Sequence, residues 1–200
     1  MANEHFDLML RYPESLSDEV LKDFVDAVAP TDVRLKVDRE DRGPSAGLEW
    51  LLPTVVVLFM VPMKSYFDGL VKEIAKEHYQ ELKKAIATLG AYVTTRRTTV
   101  FVTGSAKLAA DSRYSRTFSL MARARQGTIK LLVPTNASQA ELEVAAGAFL
   151  RFLEEYYGGQ LVQLKFTGGV ALLTYDNKLG KLRSVDPHEP RSDVAGDATP

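Results

Sequence analysis

The stretch Phe118–Val133, FSLMARARQGTIKLLV, has the pattern of two β-strands and carries Arg123, Arg125 and Lys130 among apolar residues. Its two halves, Phe118 to Arg125 and Thr128 to Val133, have the two-residue period of strands with one buried face. Gln126-Gly127 between them is typical of a two-residue hairpin turn. The stretch therefore predicts a pair of antiparallel strands.

The basic residues of this strand pair predict an anion-binding face. Arg123 and Arg125 fall on one face of the first strand, and Lys130 joins them if the strands pair across the turn. Arg96 and Arg97 precede a further predicted strand that would pair nearby. Arginine presents planar forks that suit phosphate and carboxylate groups. These five residues form the predicted anion site.

The distribution of charge agrees with a local anion site. The chain has 25 basic and 26 acidic residues, and this near-neutral total excludes a uniformly basic coat for nucleic acid. However, residues 91–130 carry a net charge of +7, between a segment of −5 (1–90) and one of −3 (131–200). The segregation permits a local site for a phosphorylated ligand or an acidic protein.

Two other interpretations of the basic block remain open. It could be a solvated outer face of the sheet, or it could pair with the acidic first helix, which carries Asp18, Glu19, Asp23 and Asp26. Nucleic acid is a less favoured partner, because aromatic residues that would stack bases are sparse in the block and no RNA-binding motif is present.

Upstream, residues 5–38 predict a βαβ unit. Phe6–Arg11 alternates like a strand, and Ser17 is a good N-cap for a helix with an apolar stripe that ends at Pro30. Val33–Val37 then alternates again.

The run Trp50–Met63 has 14 residues without a charge, which is too short for a bilayer-spanning helix of about 20 residues. We expect a buried apolar helix, although Val55–Val57 is β-branched and also fits a buried strand. An interfacial or oligomerising helix is the alternative. Its predicted contacts with a partner or a membrane are Trp50, Leu51, Phe59, Met60 and Tyr66.

The remaining elements follow from periodicity and turn residues. An amphipathic helix ends at Gly90 and completes a helical region at 48–90. Strands follow over 98–133, a helix with a Ser138–Glu141 capping box over 138–157, and a hairpin over 160–176. The sequence thus predicts an α+β domain at 1–183, with a mixed or mostly antiparallel sheet, three to four helices and a disordered, flexible tail at 184–200.

Motifs for chemistry are missing from the sequence. Without cysteine the chain has no disulfide and no thiolate ligand or nucleophile, and only three histidines are present. His78 lies among Glu73, Glu77 and Glu81, but the spacing matches no metal motif. We find no phosphate loop, dinucleotide fingerprint or nucleophile elbow, so we predict neither a metal, a cofactor nor catalytic residues.

These patterns lead to one hypothesis and two alternatives. The chain is expected to be a cytoplasmic binding or assembly module, with an Arg-rich sheet face for an anionic partner and an apolar helix for packing or self-association into a homo-oligomer. It could instead be a small enzyme for a phosphorylated or carboxylate substrate. The second alternative is a peripheral membrane protein that is anchored through residues 47–67. The N-terminus shows no secretory signal.

Overall fold

The computed structural model describes residues 6–14, 16–30, 33–40, 55–60, 73–95, 113–115, 117–159 and 164–186. Within these ranges the chain forms seven strands and three helices. In chain order they are β1 (Leu8–Pro13), α1 (Asp18–Val28), β2 (Leu35–Glu40), β3 (Val55–Phe59), α2 (Glu73–Thr95), β4 (Phe118–Ala124), β5 (Gly127–Leu132), α3 (Gln139–Tyr157), β6 (Val170–Asp176) and β7 (Lys181–Val185). No helix in these ranges is long and apolar enough to cross a bilayer.

All seven strands form one mixed sheet with the order β2-β1-β3-β4-β5-β6-β7. The pairs β1/β2, β3/β4 and β5/β6 are parallel, and the pairs between these units are antiparallel, as is β6/β7. Among the described residues, one helix lies between the two strands of each parallel pair in the chain, since parallel neighbours need a crossover connection. The predicted α+β class with a mixed sheet is confirmed. β1, α1 and β2 form a βαβ unit, with β1 and β2 parallel.

The three helices pack side by side, α1 against α2 and α2 against α3. Their apolar residues and one face of the sheet share a single core. We call this side of the sheet the helix-covered face and the other side the opposite face. Buried residues of the helix-covered face include Leu8, Leu10, Val55, Val57, Phe59, Phe118, Leu120, Ala122, Ile129, Leu131, Ala171 and Leu173.

The apolar run contains a strand where we expected a helix. Val55–Phe59 is β3, which lies between β1 and β4, and both Val56 on the opposite face and Val57 on the helix-covered face are buried. A strand that is covered on both sides has an uninterrupted apolar sequence, and periodicity cannot distinguish this sequence from a buried helix. The rest of the run, 50–54 and 61–63, lies outside the described residues.

The amphipathic helix α2 continues past its predicted end at Gly90 and reaches Thr95. A Cβ atom at Gly90 would lie 2.8 Å from Cε1 of Phe118, so glycine allows the helix to approach β4 closely. Gly90 therefore lies inside the helix, where it allows close packing against β4, and it does not end the helix. The predicted strand that starts at residue 98 lies outside the described residues.

The last hairpin also differs from the prediction. β6 pairs with β7 over the turn 177–180, whereas 164–166 belongs to no strand and 161–163 lies outside the described residues. β7 includes Ser184 and Val185, which the sequence predicts as the start of the flexible tail. It is an edge strand with exposed Lys181 and Arg183, and charges of this kind are typical of strands at a sheet edge. Residues 187–200 lie outside the described residues.

Candidate anion-binding site

The register of β4 and β5 places the basic residues as the alternation predicts. Arg123 is paired with Thr128, and Met121 is paired with Lys130. Arg123 and Lys130 are therefore diagonal neighbours on the opposite face, a spacing of about 7–8 Å. Their strand neighbours Ala122 and Ile129 point to the helix-covered face and are completely buried.

Arg125 follows the last residue of β4 and is exposed in the turn. The turn is constrained at Gly127, where a Cβ atom would lie 2.0 Å from the carbonyl oxygen of Gly169. That oxygen accepts a hydrogen bond of 2.9 Å from the amide of Thr128. The close approach of the 168–169 turn thus fixes the start of β5 beside Arg125.

Tyr157 fixes the main chain at Arg123. Its hydroxyl, at the end of α3, donates a hydrogen bond to the carbonyl oxygen of Arg123. Burial raises the pKa of Tyr157, so the phenol keeps the proton that it donates. Tyr157 thus connects the end of α3 to the end of β4, and its hydrogen bond holds the main chain from which the side chain of Arg123 extends.

Lys130 occupies an apolar environment. It is half-buried on β5, with Met121 beside it on β4 and Leu172 beside it on β6. Burial lowers its pKa, because desolvation disfavours the ammonium form. An anion bound here would stabilise the charged form by direct pairing.

Within the described residues, Arg123, Arg125 and Lys130 form no ion pair. The ion pairs of the described ranges lie elsewhere, for example between Arg11 and Asp38 on β1 and β2. The proposed pairing with the acidic first helix is wrong for Arg123 and Lys130. α1 packs on the helix-covered side, and the sheet lies between it and these cations.

The residues predicted to contact a partner or a membrane are buried, half-buried or outside the described residues, and Arg96 and Arg97 of the predicted anion site also lie outside them. Phe59 is completely buried, and its ring contacts that of Phe149 edge to face at 6.2 Å between centroids. Its predicted role as a contact for a partner or a membrane does not agree with this burial. Met60 is half-buried, and its amide donates to the carbonyl oxygen of Asp7. Five predicted residues lie outside the described ranges: Arg96, Arg97, Trp50, Leu51 and Tyr66.

His78 is half-buried on α2. Among the described residues, no group of three or more His, Asp or Glu side chains is arranged to hold a metal ion. The side chains of 73–77 are not among the described residues, so this statement does not include the carboxylates that precede His78 on the helix.

Two cavities were not expected from the sequence. One, of about 340 Å³, lies between α1 and α2, and a larger one, of about 640 Å³, lies between α3 and β7. Arg123, Arg125 and Lys130 line neither of them. The larger cavity has a recognisable signal in the sequence, because Ala148, Phe152 and Glu155 form a second stripe at helical spacing on α3, beside the buried one.

Comparisons with protein-family models, with curated proteins and with solved structures found no match to this chain. The function is therefore argued from the chemistry of the site.

Proposed function

We propose that this chain is a binding module that holds an acidic segment of a partner protein against Arg123, Arg125 and Lys130. The observation that carries the proposal is the proximity of Arg123 and Lys130 on neighbouring strands, together with the absence of ion pairs for all three cations within the described residues. Unpaired cations at such spacing are available to carboxylates of a partner.

The position of Lys130 supports this proposal on energetic grounds. A half-buried ammonium group between Met121 and Leu172 pays a desolvation cost that a methionine would avoid. Residues that cost stability commonly serve binding, since function and stability compete for the same positions. A carboxylate of the partner would offset the cost directly.

The shape of the site favours an extended partner over a small substrate. The two basic side chains on the strands belong to a sheet face, and the described cavities do not include them. A strand face suits a segment of polypeptide with several carboxylates, whereas an enzyme site is usually concave. This arrangement weighs against the alternative of a small enzyme. Self-association or membrane anchoring through β3 is not part of the proposal, because Val57 and Phe59 are completely buried.

The proposal is tested with a fluorescently labelled decaglutamate peptide and the full chain, by fluorescence anisotropy at low and high salt. We expect saturable binding that weakens as salt screens the charges. The double variant Arg123→Gln/Arg125→Gln should lower affinity at least about tenfold, since each charge-assisted contact is worth about 1.5–3 kcal/mol.

A matched control removes two positive charges elsewhere. Lys22→Gln/Lys84→Gln alters exposed residues of α1 and α2, which lie on the other side of the sheet. The control should bind nearly as the parent does. Equal losses in both double variants, or no binding by the parent chain at low salt, would refute the proposal. Preference for a single-stranded DNA oligomer over the peptide would overturn the choice of an acidic protein.

A further inference from the structure

The cavity between α3 and the sheet edge has the size of a ligand site. Its volume of about 640 Å³ lies within the range of about 300–1,000 Å³ that is typical of small-molecule pockets. α3 contributes one stripe at helical spacing, and β6, β7 and residues 164–165 form the rest. The lining residues are Ala148, Arg151, Phe152, Glu155, Leu164, Lys165, Leu173, Gly180, Lys181, Leu182 and Ser184.

The body of the cavity is apolar. Leu173 forms a buried part of its wall, and Phe152 and Leu182 are half-buried beside it. These side chains belong to the edge of the core but are not fully covered by it. An apolar ligand that fills the cavity would remove this remaining surface from water, which is favourable.

The polar residues of the cavity are mainly basic. The lining contains three basic residues, Arg151, Lys165 and Lys181, and one acidic residue, Glu155. Lys165 is engaged by Asp186 at 2.9 Å, and this pairing raises the pKa of the lysine. Arg151 and Lys181 have no ion pair within the described residues, so the lining offers two cations to an anionic head group.

The smaller cavity does not share the basic lining of the larger one. The groove between α1 and α2 is also lined by apolar residues, but Asp23, Asp26 and Glu81 outnumber Lys84 among its charged groups. The two cavities therefore differ in the sign of the head group that they would accept.

We infer that the larger cavity binds an amphipathic monoanion of the medium-chain carboxylate type. The apolar chain lies against Phe152, Leu173 and Leu182, and the carboxylate pairs with Arg151 and Lys181. This site is separate from Arg123 and Lys130 on the opposite face, and it does not depend on the proposed function.

The test uses isothermal titration calorimetry of the full chain with dodecanoate below its micellar concentration. We expect saturable binding of dodecanoate and clearly weaker binding of dodecyltrimethylammonium, which has the same chain and the opposite charge. Absence of saturable dodecanoate binding, or preference for the cationic amphiphile, would overturn the inference.

Two variants test the two parts of the site. Ala148→Phe places a ring in the cavity and should abolish binding, whereas Ala140→Phe makes the same change at an exposed position of α3 and should not. Arg151→Gln should lower dodecanoate affinity about tenfold while leaving affinity for dodecanol unchanged. Circular dichroism verifies that each variant is folded. Equal dodecanoate affinity in the Ala148→Phe and Ala140→Phe proteins would place the ligand elsewhere and sink the assignment.

Discussion

The two sides of β5 differ in a way that separates folding from binding. Ile129 and Leu131 on the helix-covered face are completely buried, whereas Lys130 and Leu132 on the opposite face are half-buried. Side chains one residue apart thus contribute to different properties, because alternate residues of a strand point to opposite faces. The comparison teaches that the same alternation can supply a core and expose a charge.

The largest expected effect comes from a deletion of core volume on β5. Leu131→Ala should lower the free energy of unfolding by about 2–5 kcal/mol, since it removes buried methyl groups and leaves a cavity. Leu132→Ala, one residue further on the opposite face, should cost clearly less because its side chain is only half-buried. Urea unfolding of both variants measures the difference. Equal losses would show that the two faces contribute equally to stability.

The next effect tests how closely the helix layer lies on the sheet. Gly90→Ala should destabilise by about 1–3 kcal/mol, because the new Cβ atom would lie 2.8 Å from the buried ring of Phe118. This is the net loss that remains after the gain of about 1 kcal/mol that alanine brings to a helix interior.

Gly147→Ala in α3 is the matched control for Gly90→Ala. There the nearest atom to the new Cβ would be Cδ of Lys83 at 3.0 Å, which belongs to a flexible side chain that can move. The control should therefore be neutral or slightly stabilising in thermal unfolding. A stabilised Gly90→Ala protein would contradict the close contact between α2 and β4.

The smallest expected effect has the opposite sign and lies on the opposite face. Lys130→Met should raise the free energy of unfolding at neutral pH by about 1 kcal/mol, because it removes the cost of desolvating the ammonium group. The same variant should bind the decaglutamate peptide more weakly. A less stable Lys130→Met protein would show that the lysine has a stabilising partner.

The gain in the free energy of unfolding that Lys130→Met brings should depend on pH. The pKa of Lys130 in the folded chain lies below its ordinary value of 10.5, so unfolding between these two values takes up a proton. The unfolded chain then binds more protons, and stability rises with pH through this window. Below the lowered pKa the full cost is present. The advantage of Lys130→Met should therefore be constant below the lowered pKa and shrink as pH rises from it towards 10.5.

Local rules in the sequence predicted the elements that depend on local chemistry. The Ser138–Glu141 capping box forms as expected, with the amide of Ser138 donating to Glu141 Oε2 at 2.8 Å. The strand pair around Gln126-Gly127 also follows, because alternation and turn residues both indicate it. The shared face of Arg123 and Lys130 was predictable for the same reason.

Features that depend on long-range packing were not predictable. Val55–Phe59 is a strand that pairs with β1 and β4, which are distant in the chain, and Val56 and Val57 are buried on its two faces. Gly90 resembled a helix end because its packing partner, Phe118, lies 28 positions away. The large cavity arises where α3 meets β7. The stripe of Ala148, Phe152 and Glu155 marks a second face of α3, but it does not show which strand that face meets.

The order of the strands has a consequence for how the chain is synthesised. β3 lies beside β1, and from β4 onward each described strand lies beside the one that precedes it in the chain, up to β7 at the edge. A nascent chain that leaves the ribosome can therefore extend the sheet in one direction, and no earlier pair has to open for a later strand. Of the described strands only β2 lies on the other side of β1, so both directions of growth start from the first βαβ unit.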